Sequence, residues 1–394
     1  MSHGDILIKT GGFMFTYYRS TISFIFLMIL TGITFSQPLS GNYNCGSGQT
    51  FTTLTGSGAA GFFNAVNTRG LNGNVTLSIT SNTSESGSVA LQQWSGGYTI
   101  TIVPSSASLK TLSGTFAGNL FDLNGADNLT IDGRFGGSGR YLRFVNSTTG
   151  GSTFRFINDA RSNTITYCLI DGMRVSSTSG IIDFSTTTGL NGNDNNTISY
   201  CTIKDASGGT LQNAIVSNGS TTTSAPYNSG ITISNNEIID VYRNAQTCSA
   251  ILLLNGSTDF TISGNSIYQT ATRTPTNATS WNLIHINTSV ANNITVSNNF
   301  IGGTAVNCGG SAWTVSGARS NAIYFIRFQS AGSTTASSVN GNTIANMNFT
   351  TTPSSSGVGY FAGIVVESGL VNVGSTSGNT IGNTTSNGNI TINI

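Results

Sequence analysis

The chain has 394 residues, of which 37% are hydrophobic and only 7% charged, with 49 glycines and a formal net charge of +1. Charged residues usually make up about 25% of a globular chain, so Asn, Thr, Ser and Gly must build this surface, and the lack of a basic face excludes nucleic acid as a partner. Disorder is excluded too, because the apolar residues recur at regular intervals.

In chain order, residues 1–36 read as a leader. Ile22–Phe35 is an apolar stretch of signal-peptide length after Arg19, closing on Thr34-Phe-Ser-Gln37, which predicts cleavage near Ser36 or Gln37. It is too short to span a membrane, so no span is expected after cleavage. Met14-Phe-Thr-Tyr-Tyr-Arg19 makes a normal charged start, and Met14 is the expected first residue. Loss of the leader leaves 13 basic and 13 acidic residues, a formally neutral mature chain.

Residues 37–119 are expected to form a β-rich N-terminal cap, with strands near Val75–Ile79 and Tyr98–Val103. From residue 120 to 394 one phrase is rewritten along the chain. It reads Thr-Ile-Thr-Tyr-Cys-Leu-Ile at Thr164–Ile170, Thr-Ile-Ser-Tyr-Cys-Thr-Ile at Thr197–Ile203 and Thr-Ile-Ser-Asn-Asn-Glu-Ile at Thr232–Ile238, with looser copies to Ser377–Ile381. The closing Ile of successive copies (170, 203, 238, 267, 301, 344, 381) advances by 33, 35, 29, 34, 43 and 37 residues, a solenoid period. A second motif, a small residue before Ile as in Ala214-Ile215 and Ala250-Ile251, keeps phase with the first and predicts two or three strands per turn.

Inside the phrase the inward residues Ile165, Cys168 and Ile170 break strict alternation, which predicts a two-residue corner between Ile165 and Cys168. The residue after the break is Cys168, Cys201, Asn236, Asn265, Asn299, Asn342 and Asn379 in turn. Coils stacked at strand spacing, roughly 4.8 Å, would align these side chains into one structural ladder, each amide donating to the next. At its head, Cys168 and Cys201 are close enough for a disulfide or are two buried thiols standing in for Asn.

Those Asn-x-Ile corners resemble the right-handed parallel β-helix proteins of the pectin-lyase-like kind, over roughly Leu120 to the end. Pro38-Leu-Ser-Gly-Asn-Tyr, Thr50-Phe-Thr-Thr-Leu, Phe63-Asn-Ala-Val, Gly70-Leu-Asn-Gly-Asn-Val-Thr-Leu and Asn128-Leu-Thr-Ile-Asp-Gly133 look like the opening of large secreted surface proteins from Gram-negative bacteria with type IX secretion. Cys45 departs from that pattern, where an apolar residue is expected. The resemblance implies an all-β right-handed solenoid of about 7–9 coils. The phrase Asn389–Ile394 ends the sequence within another strand-like copy, so the remainder of a longer chain, continuing the stack, is expected as a partner.

For chemistry the inventory is sparse. The mature chain has one His, His285, on an outward strand position, and no Cys-x-x-Cys pair or Gly-x-Ser-x-Gly. Asp171, Asp205 and Asp240 follow the Ile of three consecutive coils, with Asp205 and Asp240 in one register. Stacked outward carboxylates would hold Ca²⁺ as a cofactor. Pectate-lyase-like enzymes pair such calcium with an Arg base, for which Arg174 and Arg243 are candidates, so the weak catalytic set is Asp205, Asp240 and Arg243. The competing reading has these acids opening solvent loops and pairing with Lys204 or the arginines. The Asn-Thr-Asp, Asp-Asp and Gly-His-Gly signatures of related polygalacturonases are absent.

Length varies most in Tyr268–Trp281, Gly302–Ser320 and Ala345–Phe361. These loops share one edge of the stack and carry Tyr268, Arg273, Trp281, Trp313, Arg319 and Tyr360, with Tyr242 and Arg243 one coil earlier. Aromatic planes among polar neighbours suit sugar rings, although any single one of them is equally a core residue. The expected function is a secreted or cell-surface stalk or adhesin presenting a ligand-binding face to polysaccharide or a cell-surface glycan. The alternative is a polysaccharide lyase or related carbohydrate-active enzyme using Ca²⁺ and an Arg base.

Overall fold

In the computed structural model, residues 37–352, 360–382 and 390–394 are described; the expected leader, its cleavage point at Ser36 and a start at Met14 lie outside them. Successive turns of the chain add strands to three parallel sheets, which among the described residues hold 11, 9 and 10 strands. Leu39–Ile394 is one compact unit built this way, a parallel β-helix solenoid.

The repeated phrase crosses from the 11-stranded sheet to the 10-stranded one. Thr164–Thr166 pairs with Thr130–Asp132 before it and Thr197–Ser199 after it. Cys168–Gly172 pairs likewise with the strands at Leu142–Asn146 and Thr202–Asp205. A third strand, Ile182–Phe184 in the same coil, completes the nine-stranded sheet. In each sheet the inward residues are apolar and sealed: Ile131, Ile165, Ile198 and Ile233 on one wall, Phe144, Ile170, Ile203 and Ile238 on the second, Phe156 and Phe184 on the third.

The corner is tighter than expected. A single residue, Tyr167, separates the strands Thr164–Thr166 and Cys168–Gly172. One residue suffices because it takes the left-handed conformation, which reverses the side-chain parity: φ is 52° at Tyr167, 53° at Tyr200, 54° at Asn235, 68° at Gly264, 55° at Asn298 and 67° at Gly341.

Behind each corner residue stands the ladder position. Asn236 donates its Nδ2 to Asn265 Oδ1 at 3.0 Å, and Asn265, Asn299 and Asn342 each donate to the next residue of the column at 2.9 Å. The second Nδ2 hydrogen goes to a backbone carbonyl of the preceding coil, Ile198 for Asn236 and Ile233 for Asn265. At the head of the column Cys168 and Cys201 are free, buried thiols that bond the carbonyls of Thr166 and Ser199, each at 3.2 Å. Burial raises the Cys168 thiol well above its ordinary value.

The stack starts earlier than residue 120. Leu39–Cys45, Leu71–Ile79 and Ile100–Pro104 already occupy the first three places of the 11-stranded sheet, because their alternating inward residues, Val75, Leu77 and Ile79 among them, match the same wall. The segment also holds a helix, Phe62–Arg69, that a purely β cap did not anticipate. It buries Phe62, Phe63, Ala65 and Val66, and its Asn67 bonds the Ala90 carbonyl at 2.8 Å and accepts from Gln92 N at 3.0 Å. Leu91–Gln92 is the edge strand of the nine-stranded sheet, so the helix covers an edge otherwise open to pairing.

The long loops near the other end are not loops throughout. Trp313–Val315, Met347–Thr350 and Ile390–Asn393 pair in parallel as a fourth, three-stranded sheet. They widen the core rather than stand out from it, with Trp313, Val315, Met347 and Phe349 at most 1% exposed.

Candidate functional site

Most of the expected ligand face belongs to this widened core. Trp281 and Trp313 are each 0% exposed and meet edge to face at 6.4 Å. Trp281 donates its indole N–H to the Val241 carbonyl at 3.1 Å. Tyr242 stacks on Trp281 at 5.9 Å, and the Arg273 guanidinium lies 5.2 Å from the Tyr242 ring centre. Arg273 is buried and is held by Asp240 at 2.6 Å and Gln269 Oε1 at 2.5 Å. Tyr268 is buried as well, its hydroxyl donating to Glu237 Oε2 at 2.9 Å. Trp281 and Trp313 belong to the interior and Tyr268 is covered beside Glu237, so these three offer no plane to a ligand. Of the set, Arg319 is exposed and Tyr242 half-buried.

The three acids do not form a carboxylate stack. Their register is as expected, with Asp171 opposite Lys204 and Asp205 opposite Gly172, yet each is committed elsewhere. Asp171 is fully buried and accepts from Arg143 Nε at 2.8 Å; burial pushes its carboxyl up against the pull of that arginine. Asp205 turns into its own loop and accepts the amides of Ser207, Gly209, Thr210 and Leu211 at 2.8, 2.7, 2.7 and 3.1 Å. Burial alone would raise it, but those four donors outweigh burial and hold it below the usual carboxylate range. Asp240 accepts from Thr270 N at 2.8 Å besides Arg273.

Arg174 bonds the Gly150 carbonyl, and Arg243 joins none of the ion pairs among the described residues. No group of three or more His, Cys, Asp or Glu side chains gathers around a point there. These carboxylates do not converge on one point, and protein donors hold the oxygens of Asp205 and Asp240, while Asp171 Oδ1 is buried without a partner among the described residues. His285 points outward yet is buried, with Nε2 2.9 Å from Gln329 Oε1.

Accessible aromatic chemistry lies instead on the one-residue corner. Tyr167 and Tyr200 occupy neighbouring places in the left-handed column, where the next coils have Asn or Gly. Their rings stack at 4.7 Å with 7° between planes. Arg134, one coil earlier, places its guanidinium carbon 4.4 Å from the Tyr167 ring centre and pairs with Asp132 at 2.7 Å. The outer member, Tyr200, is 41% exposed, and the following corner residues are the exposed Asn235 and Gly264, which has no side chain to cover it.

Arg140 lies along the other flank. It donates from Nε to the Tyr200 carbonyl at 2.8 Å and from Nη1 to Thr202 Oγ1 at 3.1 Å and Glu237 Oε1 at 2.6 Å. A bulky residue at positive φ costs about 1–2 kcal/mol. Two in succession, where Asn and Gly serve elsewhere, mark the corner as a candidate site. The sequence carried the signal: Tyr replaces Asn or Gly in the first two copies of the phrase, outside the variable loops.

The fold defines the class of this chain, a parallel β-helix, and comparison with known proteins takes the matter no further than fold. No protein-family model matches the chain, and no curated protein sequence matches it. Among solved structures it is similar to a GH136 lacto-N-biosidase from Eubacterium ramulus, at 10% identity over 84% of this chain and 68% of that one, with a TM-score of 0.41. It is also similar to a mannuronic-acid-specific polysaccharide family 6 lyase from human gut microbiota, at 12% identity over 76% and 77% of the two chains, TM-score 0.35. A third is the tailspike protein gp49 of Acinetobacter baumannii bacteriophage Fri1, a capsular polysaccharide depolymerase, at 9% identity over 82% and 62%, TM-score 0.34. Likeness at this level carries no ligand or reaction over to the present chain.

Proposed function

We propose that the chain is a secreted or cell-surface β-helix, a stalk or adhesin that holds a glycan against the Arg134–Tyr167–Tyr200 corner. The observation that carries this reading is the Tyr200 ring, 41% exposed, supported from behind by a parallel ring and set on backbone that pays for its placement. A flat apolar plane edged by Arg140, Thr202 and Glu237 matches a pyranose, which has an apolar face and a rim of hydroxyls. The apolar stretch Ile22–Phe35 supports export, and the resemblance to Gram-negative surface proteins makes type IX secretion the expected route. Among the described residues no helix is long and apolar enough to cross a membrane.

Binding is preferred to cleavage because a lyase or hydrolase needs an acid and a base free to face one bond. Asp205 is closed off by its own loop amides and Asp240 by Arg273. The test is binding of the purified mature chain to immobilised glycans, with Tyr200→Asn as the matched variant. Loss of retention in the variant is the expected result. Retention unchanged in the variant, or release of shortened sugars that depends on Asp205 or Asp240, would overturn the reading.

A further inference from the structure

The charges around the corner form closed pairs, and this bears on which glycan fits. Arg134 holds Asp132 through Nε at 3.0 Å and Nη2 at 2.7 Å. Arg140 holds Glu237 Oε1 at 2.6 Å, while the other oxygen of Glu237 accepts from Tyr268. Arg143 is spent on Asp171. Each guanidinium that flanks the platform thus has its own carboxylate, Arg134 within its own coil and Arg140 and Arg143 across stacked coils.

An acidic polysaccharide is recognised through unpaired guanidinium forks that take its carboxylates two-pronged. Here each fork already holds a carboxylate, through Nη1 of Arg140 and through Nε and Nη2 of Arg134, and an incoming carboxylate would meet Asp132 and Glu237 as like charges. A sugar hydroxyl behaves differently, since it donates and accepts at once. It can donate to the Glu237 carboxylate and accept from Arg140 without separating them.

We infer that the corner takes an uncharged glycan, stacked on Tyr200 and bonded through its hydroxyls to the intact Arg140–Glu237 pair. This rests on the reading of the corner as a carbohydrate site and adds the charge class of the ligand. It also sets the role of Glu237, which excludes uronates by occupying Arg140.

The experiment measures binding of the full mature chain to matched neutral and uronate oligosaccharides of equal length, at low and high salt, for the wild type, Tyr200→Asn and Glu237→Gln. The expected result is neutral-sugar binding insensitive to salt, weakened about tenfold or more by Tyr200→Asn, with uronate binding emerging in Glu237→Gln as Arg140 is released. Wild-type binding of uronates that needs Tyr200 and fades with salt would overturn the charge inference while leaving the platform in place. Absence of any Tyr200-dependent binding in both sugar classes would overturn the platform, and the inference with it. Thermal melting of each variant separates lost binding from lost folding.

Discussion

Tyr200 lies on Tyr167 with ring centres 4.7 Å apart, and both residues have φ just above +50°. Thirty-three positions separate them in sequence, one turn of the solenoid, so stacking of the coils brings the rings together. The left-handed backbone costs energy that the ring contact, about 0.5–1.5 kcal/mol, only partly offsets.

Replacing Tyr200 by Asn should therefore be nearly neutral for folding. Asn already fills this place at Asn235 and Asn298 with φ of 54° and 55° and tolerates it well. The melting temperature is expected within a few degrees of wild type, and a drop of more than about 8 °C would show that the tyrosine pair is a structural clamp.

Interrupting the amide column should be severe. Asn265→Leu removes the acceptor of Asn236 and the donor to Asn299, each about 3 Å away in the buried interior. Stranded polar groups cost about 1–3 kcal/mol apiece, so denaturant unfolding should show a loss of about 2–5 kcal/mol. Substitution at the exposed Asn298, on the outside of the same corner, is expected to cost far less.

Asp205→Ala should loosen its loop without unfolding the coil. Four amides, at Ser207, Gly209, Thr210 and Leu211, lose their acceptor, and hydrogen exchange there should accelerate while the Ile203 amide stays protected. In the wild type the carboxyl is held below its ordinary value. Its stabilisation is thus complete above the unfolded pKa of about 3.9 and is lost as pH falls through the lower folded value.

His285 sets a second acid window. Burial lowers it from 6.5 to about 4, against the hydrogen bond to Gln329, which raises it. Between those values the unfolded chain binds the proton and the folded chain does not, so stability should fall as pH drops from 6.5 towards 4. The shift corresponds to about 3 kcal/mol, and His285→Gln should flatten the profile of unfolding free energy across that window.

Thiol reactivity offers a check on the core. Burial pushes Cys45 and Cys248 up to about 12 and Cys308 to about 11, and Cys168 is raised as well. A thiol-selective reagent at pH 8 should find almost no fast-reacting group in the native protein and all five after denaturation. Fewer than five in denaturant without reductant would mean that Cys168 and Cys201 are joined.

Much of this architecture was legible because a solenoid writes its structure locally. The alternation of Ile165, Cys168 and Ile170 marked a corner, and the recurrence of Asn two places before Ile marked the column that bonds along the axis. Other columns escaped notice, such as Asn163 to Asn196 at 3.0 Å and Asn193 to Asn228 at 2.9 Å, since their phrases vary more between copies. The site was less legible. Trp281, Trp313, Tyr268 and Arg273 share the composition of a ligand face, and nothing in their spacing told that a fourth sheet, in which Trp313 itself lies, would form and that all four would be buried.

Sequence by itself determined the coil, its period and the residues of its most regular column, because inward and outward parity repeats within a few residues of each copy of the phrase. Only the tertiary structure decided which aromatics reach solvent and which charges neutralise each other. Arg140 and Glu237, 97 residues apart, meet because coils stack and variable loops fold back to a depth that no local pattern encodes.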